Sequence, residues 1–569
     1  MSGAVRTGLV WGVIGVFLAL VGMVEAFAAR QIIVGVISLG HLLLLLIPFG
    51  AGIRAARQGA AGERGTVSAL LRGLIAGAVA GAVASAFIAV GPAVNLRAMF
   101  VSATPELFAF LSFGRGTAGV GIPLLLGAMT AAGLVGATAT LLPPLIARPL
   151  AAGVTTALTF GLFQELLQII LQEGVIRTAI RRLIFIDDGL PPRGALIVFA
   201  VAAGLSVLLY GRRAGVRAWT ARRPPRQRRA LSLAGVVLAV VIALLLPVAG
   251  GLFISQVLVL VGLYVLMGLG LNLEVGFAGL LDLGFVAFFA IGAYTVGLLT
   301  STGEHAIAHL SFWTAVPIAL VASLIAGFLF GLPILRIRGD YLAIATLGFG
   351  EIIRLLFLSD ALRPWFGGSQ GVLGIPKPAL GGFEFAGPMQ LYYVTLVASG
   401  LVAFVAMRLR DSRLGRAWMA LREDEDVAEA MGINLVNVKL LAYGIGGAFA
   451  GFGGAIFAVM LGSIFPHSFN LIISVNVLAL IIVGGMGSLP GVVVGSLFLV
   501  GLPELLREFS DFRFLIYGAV LVIMMQLRPE GLWPAAAQQR ELHEERADIP
   551  LVPTTEAAPG EATAEGGGF

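Results

Sequence analysis

The sequence contains no cysteine, which removes disulfides, thiolate nucleophiles and Cys-based zinc or iron–sulfur sites together. Lysine is nearly as scarce, since Lys377 and Lys439 are the only two among 37 Lys+Arg. A phosphate-binding P-loop needs a Gly-Lys-Ser/Thr run whose backbone amides and lysine cradle phosphates. Lys377 lies between prolines and Lys439 follows Val438, so no nucleotide site of that kind is present. Charge of both signs is thin, at 12% against 58% hydrophobic residues and a mean hydropathy of +0.98. A soluble domain carries about a quarter charged residues, and a water-soluble enzyme is therefore excluded.

What fills the 569 residues is a succession of apolar runs near 20 residues long, the length that crosses about 30 Å of hydrocarbon at about 1.5 Å per residue. The fold class is all-α, a polytopic helical membrane protein. The 77 glycines agree with it, because helices in lipid approach closely through small residues, whereas a membrane barrel shows short alternating segments. The first run, about 7 to 29, ends near Ala26-Phe27-Ala28, which resembles a signal-peptide cleavage site. Its length and the immediate start of another span near Ile32 favour an uncleaved first helix. Further spans are read at 32–52, 67–90, 118–147, 150–172 and 194–210, making a six-span N-terminal extension over 1–210.

The composition breaks at 211–230, where eight arginines surround Pro224-Pro225. A basic run beside membrane spans fixes orientation and touches anionic lipid, so it is read as a cytoplasmic linker that binds lipid and not nucleic acid. Ten spans follow, at 231–249, 252–272, 279–300, 311–333, 341–358, 390–408, 438–461, 471–487, 491–505 and 513–527, for about 16 in all. Those at 279–300 and 471–505 are interrupted by glycine and are read as short or re-entrant. Counting from a cytoplasmic linker places Arg336, Arg338, the cluster from Arg408 to Arg422 and the C-terminus inside. Residues 534–569, polar and rich in Ala, Glu, Pro and Gly, are read as a disordered cytoplasmic tail.

The loop 409–437 is the longest charged segment within the membrane core. Leu414, Trp418 and Leu421 recur at helical spacing, acidic residues cluster from Glu423 to Asp426, and Gly432 stands where a helix can end. An apolar stripe with dense mixed charge is the form of a helix that docks in a partner's groove. The predicted element is one helix on the cytoplasmic face.

Here the sequence resembles a known family. The run GRAWMALREDEDVAEAMGINLVNVKLLAYGIGGAFAGFGGAIFA at 415–458 is similar to the coupling-loop region of the M-type permease subunit of branched-chain amino acid ABC importers, the LivM family. GLNLEVGFAGLLDLGFVAFFAIGAYTVGLL at 270–299 resembles the same family's run after its second core helix. GDYLAIATLGFGEIIRLL at 339–356, GGSQGVLGIP at 367–376 and IIVGGMGSLPGVVVGSLFL at 481–499 extend the resemblance over 231–533. It implies a permease core for branched-chain or other hydrophobic amino acids in a bacterial-type plasma (inner) membrane, with a second permease subunit, two cytoplasmic ATPases and an external solute-binding protein. ATP is then used by partners, and no cofactor belongs to this chain. The resemblance assigns Arg416, Glu423, Asp424, Glu429 and Gly432 to the ATPase contact.

Acids inside spans are costly, at about 2.5 to 3.5 kcal/mol for a central aspartate, so Asp282, Glu351, Glu274 and Glu165 each require a reason. Asp282 and Glu351 either line the pathway or hydrogen-bond a broken helix. Glu274 stands where the family run is mostly apolar and is expected at the membrane interface, and Asn272 is expected to satisfy backbone groups. Gly447 and Gly451, and Gly487, Gly491 and Gly495, repeat every four residues as helix-packing faces, like Gly73, Gly77, Gly81 and Ser85. His305 and His309 lack the intervening glutamate of a zinc protease and a third ligand, so neither a metal nor a catalytic constellation is predicted. The 91–117 loop is read as an amphipathic external segment. The competing reading, an ion-coupled secondary transporter, demands paired intramembrane charges at broken helices.

Overall fold

The computed structural model describes residues 2–58, 65–91, 94, 96–171, 175–186, 189–221, 225–334, 337, 339–505, 515, 518, 521–522 and 530–534. Arg336, Arg338, most of the 513–527 span and the tail from 535 lie outside them. The chain divides into two compact units, Met1–Ile242 and Ala243–Phe569.

In the first unit α1 (Ser2–Leu20), α2 (Leu39–Gln58), α3 (Thr66–Val90) and α4 (Ile122–Leu141) pack together, and α5 (Pro144–Leu162) packs with α6 (Pro192–Ala221). Gly73, Gly77, Gly81 and Ser85 lie on the buried face of α3. A Cβ at Gly77 would stand 2.8 Å from the Met129 carbonyl and 3.0 Å from the Gly133 Cα of α4, so the two backbones touch through small residues.

Two boundaries differ from the hydropathy reading. The span expected from residue 32 starts instead at Leu39, because Gln31–Ile33 and Ile37–Ser38 form an antiparallel hairpin. The stretch read as 118–147 breaks at Leu142 and Pro143, which take extended ψ angles of 135° and 147° before Pro144. Proline disfavours the α conformation in the residue before it, so hydropathy runs on where the helix cannot. Glu165, placed inside a span by that reading, is exposed in the first turn of the short helix Gln164–Ile170. The basic stretch carries helix up to Ala221 and again from Pro225.

The second unit begins within α7 (Pro225–Leu271), a run interrupted by a non-helical Gly251 with φ 75° and ψ −168°. A π-helical turn, Asn272–Phe277, and a non-helical stretch lead to α8 (Val286–Thr300). Then come α9 (Phe312–Ile334), α10 (Asp340–Leu358), α11 (Pro388–Arg410), α12 (Arg413–Glu423), α13 (Glu425–Ala430), α14 (Leu435–Leu461), α15 (Leu471–Gly484) and α16 (Leu489–Ser496). Among the described residues eleven helices are long and apolar enough to cross a membrane, one of them the 44-residue Ala234–Phe277. Three shorter apolar helices include Val286–Thr300 and Leu489–Leu505.

The centre of this unit is α14, against which α8 and α9 both pack. A Cβ at Gly292 of α8 would meet the Gly451 carbonyl at 2.1 Å, and one at Gly454 the Phe289 carbonyl at 1.9 Å. Gly447 stands against Phe288 and the Ser323 carbonyl. Gly454→Val is expected to reduce folded protein in membranes severalfold, because a rigid carbonyl occupies the space and overpacking costs about 1–3 kcal/mol or more; fluorescence-detected size exclusion reads it.

Both lysines hold α14. At its C-terminal end Lys377 Nζ donates to the Val459 and Met460 carbonyls at 2.7 and 2.8 Å, meeting acceptors that no further turn can satisfy. Partial burial of the Lys377 ammonium pushes it below its ordinary pKa.

Candidate functional site

Ser412 accepts a bond from Gly415 N at 3.2 Å and starts α12. The helix stops at Asp424, whose extended backbone (φ −157°, ψ 116°) lets its carboxylate accept from Asp426 N and Val427 N at 2.9 and 3.0 Å. The loop is therefore two helices at an Asp N-cap, not the single helix expected. Gly432 closes α13 with φ 86°, a left-handed backbone that favours glycine. Arg410 Nε donates to Asp411 Oδ1 at 2.9 Å, and that guanidinium holds the Asp411 carboxyl below the usual carboxylate range.

The apolar stripe faces inward. Trp418 is fully buried, its Nε1 donating to the Val438 carbonyl at 2.9 Å, and Leu421 is buried beside it. It anchors the loop to its own core and is not the docking face that the pattern suggested. The outward face carries Arg416, Glu423, Asp424, Glu429 and Gly432, all exposed. Three apolar side chains join them: Met419, Val427 and Met431, the last 79% exposed. Two polar links hold the loop to the core. Lys439 Nζ, buried at the start of α14, pairs with Glu425 of α13, and Arg422 Nη1 donates to the Gly276 carbonyl at 2.7 Å.

That carbonyl belongs to the π-helical turn, so the loop grips the chain where its helix is broken. Asn272, fully buried, accepts from Gly487 N at 2.9 Å. Gly487, expected on a helix face with Gly491 and Gly495, lies in the turn between α15 and α16 with φ 75°. Gly491 and Gly495 face the Gly484 and Leu480 carbonyls of α15. Backbone amides freed by the break find side-chain acceptors: Asp282 Oδ1 takes Gly284 N at 2.6 Å, Thr346 Oγ1 takes Leu283 N at 3.0 Å and Ser474 Oγ takes Val286 N at 3.0 Å. Irregular backbone survives in a membrane only when such partners exist.

Glu274 is not at an interface but fully buried, its carboxyl against Gly446 and facing Asp282. Glu351 of α10 pairs with Arg354 one turn on, Nε to Oε2 at 2.9 Å. His305 and His309 bond the Pro364 and Ser301 carbonyls at 3.3 and 3.0 Å. Among the described residues no group of three His, Cys, Asp or Glu is placed to hold a metal ion. Arg422 and Lys439 were missed as site residues. A lone lysine 14 positions beyond an acid in an arginine-rich chain was a readable signal, whereas nothing marks Arg422 among its neighbours.

The helical membrane core contains an interrupted helix whose break is tied to a charged loop, the kind of discontinuous helix found in membrane transporters. The family described as "Branched-chain amino acid transport system / permease component" matches residues 253–525, within the second unit. The high-affinity branched-chain amino acid transport system permease protein LivM of Salmonella typhimurium is 43% identical over 303 residues, covering 49% of this chain and 70% of that protein. The corresponding protein of Escherichia coli K12 is 42% identical over 332 residues, covering 54% and 76%. LivH of E. coli K12 is 24% identical over 287 residues, covering 47% and 90%. The chain belongs to the branched-chain amino acid transport permease family. No solved structure matches it significantly.

Proposed function

We propose that this chain is the membrane-spanning subunit of an ATP-driven importer of branched-chain amino acids in a bacterial inner membrane. It works with a second permease, two cytoplasmic ATPases that bind and hydrolyse the ATP, and an external solute-binding protein. The observation that carries the reading is the identity above 40% to two LivM permeases over more than two thirds of each.

The chain lacks a Gly-Lys-Ser/Thr run, so the motor is a partner. Its contact is the outer face of α12 and α13, where exposed Val427 and Met431 sit among Arg416, Glu423, Asp424, Glu429 and Gly432. An apolar centre with a charged rim suits a protein groove. Closure of the ATPases moves α12, and the bond from Arg422 to the Gly276 carbonyl passes that motion to the broken helix. The C-terminus is cytoplasmic.

Met431→Asp or Glu429→Lys is expected to lower ATPase recovery with the purified chain by about tenfold, the loss of about 1.4 kcal/mol of binding, with insertion unchanged. Recovery equal to wild type moves the contact elsewhere.

A further inference from the structure

Glu351 and Arg354 lie within the 19-residue α10, 11 and 14 positions after Asp340. At about 1.5 Å per residue they stand about 16 and 21 Å along the helix, near its middle and in its C-terminal half. Ionisable side chains at such depth face a cavity or a bundle interior and mark solute pathways. These two are joined through two bonds, Nε to Oε2 and Nη2 to Oε1, yet stay partly open, with 44% of the Glu351 side chain and 24% of Arg354 exposed.

The surroundings of Glu351 are apolar and roomy. Glu351 borders a cleft of about 200 Å³ with Leu283, Val286, Leu347, Phe469 and Leu471. Toward the C-terminal end of α10 a second cleft of about 290 Å³ lies between Tyr294, Leu298, Ile353 and Phe357. Tyr294 is 1% exposed, and among the described residues its hydroxyl has no hydrogen-bond partner.

We propose that the Glu351–Arg354 pair is a binding station for the zwitterionic head of an amino acid, with Glu351 taking the α-ammonium, Arg354 the α-carboxylate, and the flanking clefts the branched side chain. The inference rests on the importer reading above. An amino acid at neutral pH carries one charge of each sign at a fixed short spacing, and a carboxylate with a guanidinium one turn apart presents the complementary signs. The exchange is electroneutral, so no net charge enters the membrane. The internal bonds use Nε and Nη2, leaving the Nη1 donors and further carboxylate lone pairs for the ligand. A purely aliphatic ligand has no use for the pair, and a singly charged one leaves half of it unmatched.

The test uses the full chain with its co-purified partners and binding protein in proteoliposomes, and L-leucine as the probe. The double variant E351Q/R354Q removes both charges together and leaves neither unpaired, which for a merely structural, partly exposed pair costs little. The expected result is an assembled complex with leucine uptake reduced at least tenfold. Uptake equal to wild type in the double variant overturns the station. Should that variant not assemble, Glu351→Asp keeps the charge and shortens its reach: a severalfold rise in KM for leucine with kcat held supports the station, and an unchanged KM overturns it. A wild-type complex that takes up no leucine defeats the importer reading itself, an outcome distinct from both.

Discussion

Arg422→Ala is expected to cut amino acid uptake per ATP hydrolysed by about tenfold or more while the complex stays assembled. The bond from its guanidinium to the Gly276 carbonyl, 2.7 Å long, joins α12 to the π-helical turn. A hydrogen bond from a charged donor contributes about 1.5–3 kcal/mol, and about 1.4 kcal/mol is a factor of ten in an equilibrium. Assembly is spared because the loop is anchored separately, α12 through buried Trp418 and α13 through the ion pair of Glu425 with Lys439. Parallel assays of leucine uptake and phosphate release in proteoliposomes give the ratio. Arg422→Lys retains a donor and a charge and is expected to restore part of the coupling; full coupling in Arg422→Ala would place the transmission elsewhere.

Lys439→Met is expected to destabilise the core by about 3–5 kcal/mol, the cost of removing one partner from a buried ion pair. Lys439 is 5% exposed at the side chain and its partner Glu425 21%, so the remaining carboxylate is poorly solvated where it stands. Adding Glu425→Leu is expected to recover most of the loss, since apolar replacement of a whole buried pair is often neutral or better. The measurement is the thermal midpoint in detergent for wild type, both single variants and the double. Equal midpoints for all four would show that the pair contributes nothing to holding α13 against α14.

Much of this arrangement was legible from hydropathy and residue type. The span read at 67–90 is α3 within a residue, and those read at 311–333 and 438–461 fall on α9 and α14. Small-residue spacing located the face of α3 that meets α4, because glycine at every fourth position has little other use in a helix. What failed had a physical cause each time. Ile32 to Ile37 is as apolar as a span, and only pairing of its two arms makes it a hairpin. Trp418 and Leu421 resemble a partner's surface in sequence, because an amphipathic helix looks the same whether its stripe meets its own core or another chain.

Burial of Glu274 depended on Gly446, 172 positions away in sequence, whose missing side chain makes room for the carboxyl. Nor does sequence spacing reveal that Asn272 meets Gly487, or that Arg422 meets Gly276. Local signals located the elements, whereas the bonds that join loop to broken helix are long-range and follow only from the packed fold. The intramembrane pair of Glu351 with Arg354 is an exception, since its i to i+3 spacing is written in GEIIR.

An importer driven by separate ATPases must carry them with it and must need ATP for uptake. The most direct test is to purify the chain from its native membranes in mild detergent, identify its partners by mass spectrometry, and assay ATP-dependent L-leucine uptake after reconstitution with the binding protein. The expected preparation contains two P-loop ATPases and a second permease, and its uptake requires ATP. A chain recovered alone, importing solute on an ion gradient without ATP, would contradict ATP-driven import.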